Sequence, residues 1–463
     1  MPWTSRRPGA GQGTPALKGG RSSAGPDAVA HPADVFAQLG LMVFALLAFC
    51  APLASASGLG LVFLAALFSP GARQSFRRDP LLRCSLALCA YLAVEAAWAA
   101  IRFPETWLVQ LRFLGQWTLC LGFPALAWVL QGRPGRVGLV LVAAFAGLVF
   151  GAALHLRGSD FWAFRVGQQT GFQMRAGCAG LVWATALLGL LLYAEPALRA
   201  VWGTPRLWPR LLFFGGGLYL AVYALVASQS RISWIALALA VAASVAHRVR
   251  RSWGQEGAGA KRPYILVLAL VLVGAGIALN TDRIGERIAA DRVVVAKILG
   301  GDTADLPLSS FKYRYYVQRF GLEKWWESPW FGWGPGSTAY LIKLADREEL
   351  VNQTDNGRMM GQLHNTYLEI LMQGGIVGLG LFLAWAAIFA KPLCQPGYRD
   401  PLPEPLGLFV LGGLSILAIW GFAAYGMIVE NWPYWRCYWL LLAGIAHTFV
   451  VYPPAVRAGV LHI

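Results

Sequence analysis

Residues 137–154 read VGLVLVAAFAGLVFGAAL, an apolar run without a single charged side chain. At about 1.5 Å of rise per residue, a helix of this length spans roughly 27 Å, close to the hydrocarbon thickness of a bilayer. The run has neither the two-residue alternation of a barrel strand nor the one-sided apolar stripe of a soluble helix. Inside lipid only helices and closed barrels satisfy their own backbone donors and acceptors, so the run is predicted to be a transmembrane helix.

The same signature recurs on both sides of it. Apolar runs at 35–51, 54–69, 80–100, 108–130, 135–155, 174–194, 209–227, 230–247, 263–280, 366–390, 405–425 and 435–452 predict an all-α polytopic membrane protein with about 12 transmembrane helices. The first two are short and joined through Ala51 and Pro52, which also allows a single broken hairpin. Composition agrees, because 57% of the 463 residues are apolar and 13% charged, about half the charged share of a soluble domain.

A net charge of +16 raises the question of nucleic acid, and the placement of the charges answers it. Arg6, Arg7, Lys18 and Arg21 precede the first span, and Arg73, Arg77, Arg78 and Arg83 follow the second. Arg133 and Arg136 follow the fourth; Arg199, Arg206 and Arg210 the sixth; Arg248, Arg250, Arg251, Lys261 and Arg262 the eighth. Basic residues on every second connector put those connectors and both termini in the cytoplasm and indicate no nucleic-acid partner. The Gly-, Pro-, Ala- and Ser-rich stretch 1–34 is expected to be a disordered cytoplasmic tail, with the first span acting as an uncleaved signal-anchor. None of the seven cysteines lies in the longest connector and none forms a CxxC pair, which speaks against a disulfide framework or structural zinc.

The expected organisation is a bundle of about nine spans over 35–280, a periplasmic helical loop domain over 281–365, three last spans over 366–452 and a cytoplasmic tail over 453–463. Within the loop, Asp282–Leu299 and Phe311–Glu327 read as amphipathic helices. Pro329-Trp330-Phe331-Gly332-Trp333-Gly334-Pro335-Gly336 then breaks the pattern with turn residues.

Residues able to carry chemistry collect near the outer surface. His364 opens the tenth span in Leu363-His364-Asn365-Thr366-Tyr367-Leu368-Glu369; its imidazole can accept a hydroxyl proton near neutral pH, or it can simply cap the helix. Arg231, in Ser228-Gln229-Ser230-Arg231, stands between two apolar runs, where a cation marks a functional site or snorkels to headgroups. Arg314, beside Tyr315, is either a ligand-binding cation or an exposed helix charge. Arg165 and Arg175, after the fifth span, are candidates of the same kind. Glu369 and Glu430 can supply a carboxylate, though such residues more often orient a neighbour. HExxH, P-loop and Rossmann signatures are missing, and Asp302 and Asp305 make no Asp-x-Asp pair, so no metal or cofactor is indicated. Arginine forks pair bidentately with phosphate oxygens, which suits a lipid-linked diphosphate.

Three motifs give the chain a resemblance to the O-antigen ligase family, within the O-antigen ligase and polymerase superfamily, strongest over Leu225–Leu381. The first is Ser230-Arg231 at the start of the eighth span. In the second, Arg314 precedes the Pro329–Gly336 turn, similar to the family's arginine helix followed by P-x-x-G-x-G. The third is His364-Asn365-Thr366-Tyr367-Leu368-Glu369 followed by Gly374-Gly375-Ile376-Val377-Gly378, similar to H-N-x-x-L-E…G-x-x-G. Gln173-Met174-Arg175 departs from an N-P-N-like stretch that the family often shows.

The resemblance implies a GT-C-like membrane glycosyltransferase in a Gram-negative inner membrane with its active site facing the periplasm. The implied partners are undecaprenyl diphosphate-linked O-antigen as donor, lipid A-core oligosaccharide as acceptor, and membrane lipids. The expected mechanism is metal-independent and inverting, with His364 as base and Arg231 and Arg314 on the diphosphate. Arg165, Arg175, Tyr315, Asn365, Glu369 and Glu430 are possible supporting residues. An O-antigen polymerase or a protein O-oligosaccharyltransferase would use the same donor. A flippase for the same lipid fits less well, because no internal repeat is visible and the charges gather at one surface.

Overall fold

A computed structural model describes residues 32–155, 171–172, 174–201, 207–253, 289, 292–303, 306–307, 310–352, 358–359, 361–394, 403–422 and 433–452. Among the described residues α-helices dominate, and Val351–Asn352 pairs antiparallel with Arg358–Met359. In order they are α1 (Pro32–Leu47), α2 (Pro52–Phe68), α3 (Pro70–Arg78), α4 (Pro80–Arg102), α5 (Trp107–Trp117), α6 (Phe123–Leu130), α7 (Pro134–His155) and α8 (Ala176–Val201). Then come α9 (Leu207–Ala227), α10 (Arg231–Trp253), α11 (Ser310–Glu327), α12 (Ser337–Ala345), α13 (Thr366–Cys394), α14 (Glu404–Gly421) and α15 (Pro433–Val451).

Each apolar run within the described residues has a helical counterpart, and the run at 263–280 lies outside them. The expected count of about 12 is not tested over the whole chain. Among the described residues, seven helical segments are long and apolar enough to cross a membrane, or up to eight if one bent pair counts as a span. That pair is α2 with α3, which turns by 91° at Ser69-Pro70, where proline removes a backbone donor. The run at 108–130 divides into α5, a 3-10 turn over Thr118–Gly122 and α6. The expected helix Phe311–Glu327 is present as Ser310–Glu327; of Asp282–Leu299 the described part, 292–299, is helical.

Two hydrophobic cores form. The larger joins α1 through α10 with α13, α14 and α15, around side chains such as Trp183, Trp385 and Phe123. Polar side chains pin it internally: Trp385 Nε1 donates to Ser85 Oγ (2.9 Å), and the Thr185 and Tyr438 hydroxyls lie 2.8 Å apart. The smaller core gathers Val317, Phe320, Ile342 and Met372 from α11, α12 and the start of α13, with Trp333 and Leu363 from the segments between them.

Contacts fix which helix ends lie together. Arg248 Nε is 3.3 Å from Glu404, and Gly412 packs on Ala240, so α10 and α14 run antiparallel. At the Arg248 end, His447 of α15 bonds Asp79, the N-cap of α4 (2.7 Å), and the Tyr452 hydroxyl bonds Ser75 (2.8 Å). Arg73, Arg77, Arg78 and Arg83 belong to this end by their positions on α3 and the first turn of α4. The start of α13 and the start of α10 belong to the other.

Candidate active site

The site is built on a backbone break. Leu363 is fully buried in the smaller core, and Gly321 of α11 packs directly on its side chain. The next residue, His364, takes φ +54°, a left-handed conformation that non-glycine residues seldom adopt. Asn365 then caps α13, its Oδ1 accepting from the Tyr367 and Leu368 N–H groups (both 3.1 Å). The helix is therefore capped by Asn365, which leaves the His364 imidazole out of that task.

Glu369 locks the turn from beneath. Its Oε2 accepts the Leu363 N–H (2.9 Å); its Oε1 accepts from Gln373 Nε2 (2.8 Å) and from the Thr338 hydroxyl of α12. The carboxylate is buried and accepts from three neighbouring donors. Thr338 and Gln373 did not stand out in the sequence. The one available signal was the four-residue spacing of Glu369 and Gln373, which puts them on one helix face.

Arg314 lies seven residues before Gly321 on α11, almost two full turns, so both share the face that packs on the Leu363 turn. The effect on His364 is direct: burial, then the Arg314 charge, push the imidazole down from 6.5 to about 4. Tyr315 turns elsewhere, packing edge-on against Tyr316 at 5.4 Å between ring centres and hydrogen-bonding Arg319, whose pKa is raised mainly by Glu323 and then by Tyr315.

Arg231 is the first residue of α10 and follows Gln229, itself left-handed at φ +49°. The Ser228 hydroxyl accepts the Ser230 N–H (3.3 Å), and the Ser230 and Ser233 hydroxyls lie 2.7 Å apart. This serine turn nests on Gly180 of α8. Because α10 and α14 are antiparallel, Arg231 is level with Gly421. The Tyr367 hydroxyl bonds the Ala418 carbonyl (2.9 Å) and its ring lies 4.4 Å from that of Phe422. Arg231 and the His364 turn thus occupy the same end of α14. A cation in the first turn of a helix adds to the positive dipole end, a combination that suits an anion.

Arg175, exposed just before α8, lies at this end too. Arg165 and Glu430 lie outside the described residues. Among the described residues, His, Cys, Asp and Glu side chains form no group of three able to hold a metal ion.

The glycine motif after His364 has a structural partner in the Pro329–Gly336 turn. Gly375 (φ +62°) breaks α13. The freed carbonyls of Met372 and Gln373 accept from the Trp333 and Gly334 N–H groups (3.1 and 2.8 Å). The freed N–H groups of Ile376 and Val377 donate to Pro329 and Trp330 (2.9 and 3.2 Å). The two motifs thus close each other's backbone hydrogen bonds.

Residues 216–383 match the family model described as O-antigen ligase. The matched segment contains Arg231, Arg314, His364 and the turn that closes on Gly375. No curated protein matches the chain.

Proposed function

We propose, from the membership of the O-antigen ligase family that this match supports, that the protein transfers O-antigen polysaccharide from undecaprenyl diphosphate to lipid A-core oligosaccharide. The family points to membrane glycosyl transfer of ligase or polymerase type, with lipid-linked polysaccharide and lipid as substrates. The observation that carries the finer reading is His364, held on a left-handed turn within the field of Arg314, at the bundle end where Arg231 begins its helix.

In the proposed step an acceptor hydroxyl oxygen attacks the anomeric carbon while His364 takes its proton. The bond from that carbon to the diphosphate oxygen breaks, and the electron pair leaves with undecaprenyl diphosphate. Arg231 and Arg314 hold the diphosphate and offset the charge that grows on it. A single displacement inverts the anomeric configuration. The low basicity of His364 fits an ordered reaction. Bound diphosphate compensates the Arg314 charge, so the imidazole becomes a better base once the donor is in place.

The basic end of the bundle supports a cytoplasmic side and the His364 end a periplasmic side of an inner membrane. The acceptor is tested with purified protein in vesicles given lipid-linked donor plus lipid A-core, an acceptor protein, or donor alone. Glycan transfer to lipid A-core with inverted configuration is expected. Donor-on-donor extension alone would identify a polymerase, and transfer to protein an O-oligosaccharyltransferase.

A further inference from the structure

The Pro329–Gly334 turn belongs by sequence to the long connector, yet it is hydrogen-bonded to the interior of a membrane span. Its partners on α13 run from Met372 to Val377, well inside the candidate span Thr366–Ala390. At about 1.5 Å per residue, they lie roughly 9–16 Å past the start of that span. A second span gives a matching level. A Cβ on Gly334 would meet Ala99 Cβ at 2.3 Å and the Glu95 carbonyl at 3.2 Å, in the last two turns of α4.

The turn is equipped for such a depth. Beyond its four bonds to α13, Gly332 N–H donates to Ser328 (3.1 Å) and the Ser328 hydroxyl returns a bond to Gly332 (2.8 Å). Irregular backbone persists at membrane depth only where its polar groups are satisfied in this way. Trp330 and Phe331 point outward instead, 62% and 57% exposed, and the neighbouring face of α4 is similarly apolar and open at Val94, Trp98 and Ile101. Around the Trp333 side of the turn stand charged residues, the Lys324–Glu327 pair (2.8 Å), Arg102, which stacks over Trp333 at 4.1 Å, and buried Glu95 of α4.

We propose that Pro329–Gly334 is a re-entrant turn immersed in the bilayer, and that Trp330 and Phe331 pack against lipid hydrocarbon chains in the leaflet on the His364 side. The turn continues the lipid-facing surface of α4 and replaces the solvent that a connector would meet. It props the break at Gly375 from within the membrane, below the His364 turn. The inference depends on the chain spanning a bilayer and not on the transfer chemistry, so the two can fail separately.

The test is a nitroxide placed at Phe331→Cys in the full-length protein with its seven native cysteines replaced, reconstituted in phosphatidylcholine–phosphatidylglycerol vesicles. Power-saturation resonance compares its access to oxygen and to a water-soluble nickel chelate. Val94→Cys on α4 serves as the lipid reference and Glu349→Cys, on the exposed part of the connector, as the aqueous one. The oxygen-to-nickel ratio at Phe331 is expected to match Val94 and to exceed Glu349 several-fold. A ratio equal to that at Glu349 would overturn the proposal. Trp330→Cys, read against the same references, decides the matter should the Phe331 variant fail to fold.

Discussion

His364 holds a backbone conformation that costs an L-residue about 1–2 kcal/mol, and its neighbours on both sides enforce it. Leu363 is buried and Asn365 is committed to the helix cap, so the intervening residue has no other path. Such strain is retained where a side chain must be aimed. The imidazole, lowered to about 4 by burial and Arg314, is neutral at pH 7. The folded state therefore binds fewer protons than the unfolded chain between about pH 4 and 6.5. The His364 contribution to stability is complete above 6.5 and fades as pH falls through that window. For activity, the acid limb of kcat/KM for the donor is expected near pH 4. In Arg314→Gln it should move upward, because the repelling charge is gone; an unmoved or lower limb would contradict the pairing.

Glu369 acts at the same scale, through the atoms it holds. In Glu369→Ala the Leu363 N–H and the Thr338 hydroxyl lose their acceptor, each at about 1–3 kcal/mol if left unsatisfied, while the Gln373 amide keeps its bond to Thr338 (3.1 Å). The expected result is a lower melting temperature in detergent, with kcat for transfer falling more than KM for the donor rises. A variant with parent stability and kcat would show that the latch does not position His364.

Among the elements, the interlock between α13 and the Pro329–Gly334 turn organises the rest. A methyl group at Gly375 would sit 2.2 Å from the Trp330 carbonyl, at a φ of +62°. Gly375→Ala is expected to lose at least the left-handed penalty of about 1–2 kcal/mol, read as a lower melting temperature. Gly380→Ala, on the same helix with open space around it, should be neutral. The two motifs were each visible in the sequence as turn residues and as a glycine cluster. Their mutual closure was not, because it runs through backbone groups that no side-chain pattern encodes. The role of Asn365 was hidden in a similar way: the sequence placed it beside the histidine, and only the geometry assigned it the cap. The 91° bend between α2 and α3 likewise escaped a hydropathy reading, although Pro70 stands at the corner.

Across the whole molecule, the apolar runs were legible because lipid imposes length and composition on every crossing. Helix ends came within a few residues of the runs, and alternate connectors carried the basic charge. What hydropathy could not show is how the ends assemble. Arg231, Arg314 and His364 are separated by long stretches of chain. They come to the same end because α10 runs antiparallel to α14 while the Gly321 face of α11 docks on Leu363. The bundle thereby holds Arg73, Arg77, Arg78, Arg83 and Arg248 at one end and its candidate chemistry at the other.

In the proposed step His364 removes the acceptor proton. The most direct measurement compares His364→Ala with the parent protein in vesicles holding lipid-linked donor and lipid A-core, following both donor binding and glycosidic bond formation. Donor binding close to parent is expected, with transfer reduced by about 10²–10⁴-fold, the range of a lost general base. Transfer at the parent rate would contradict it.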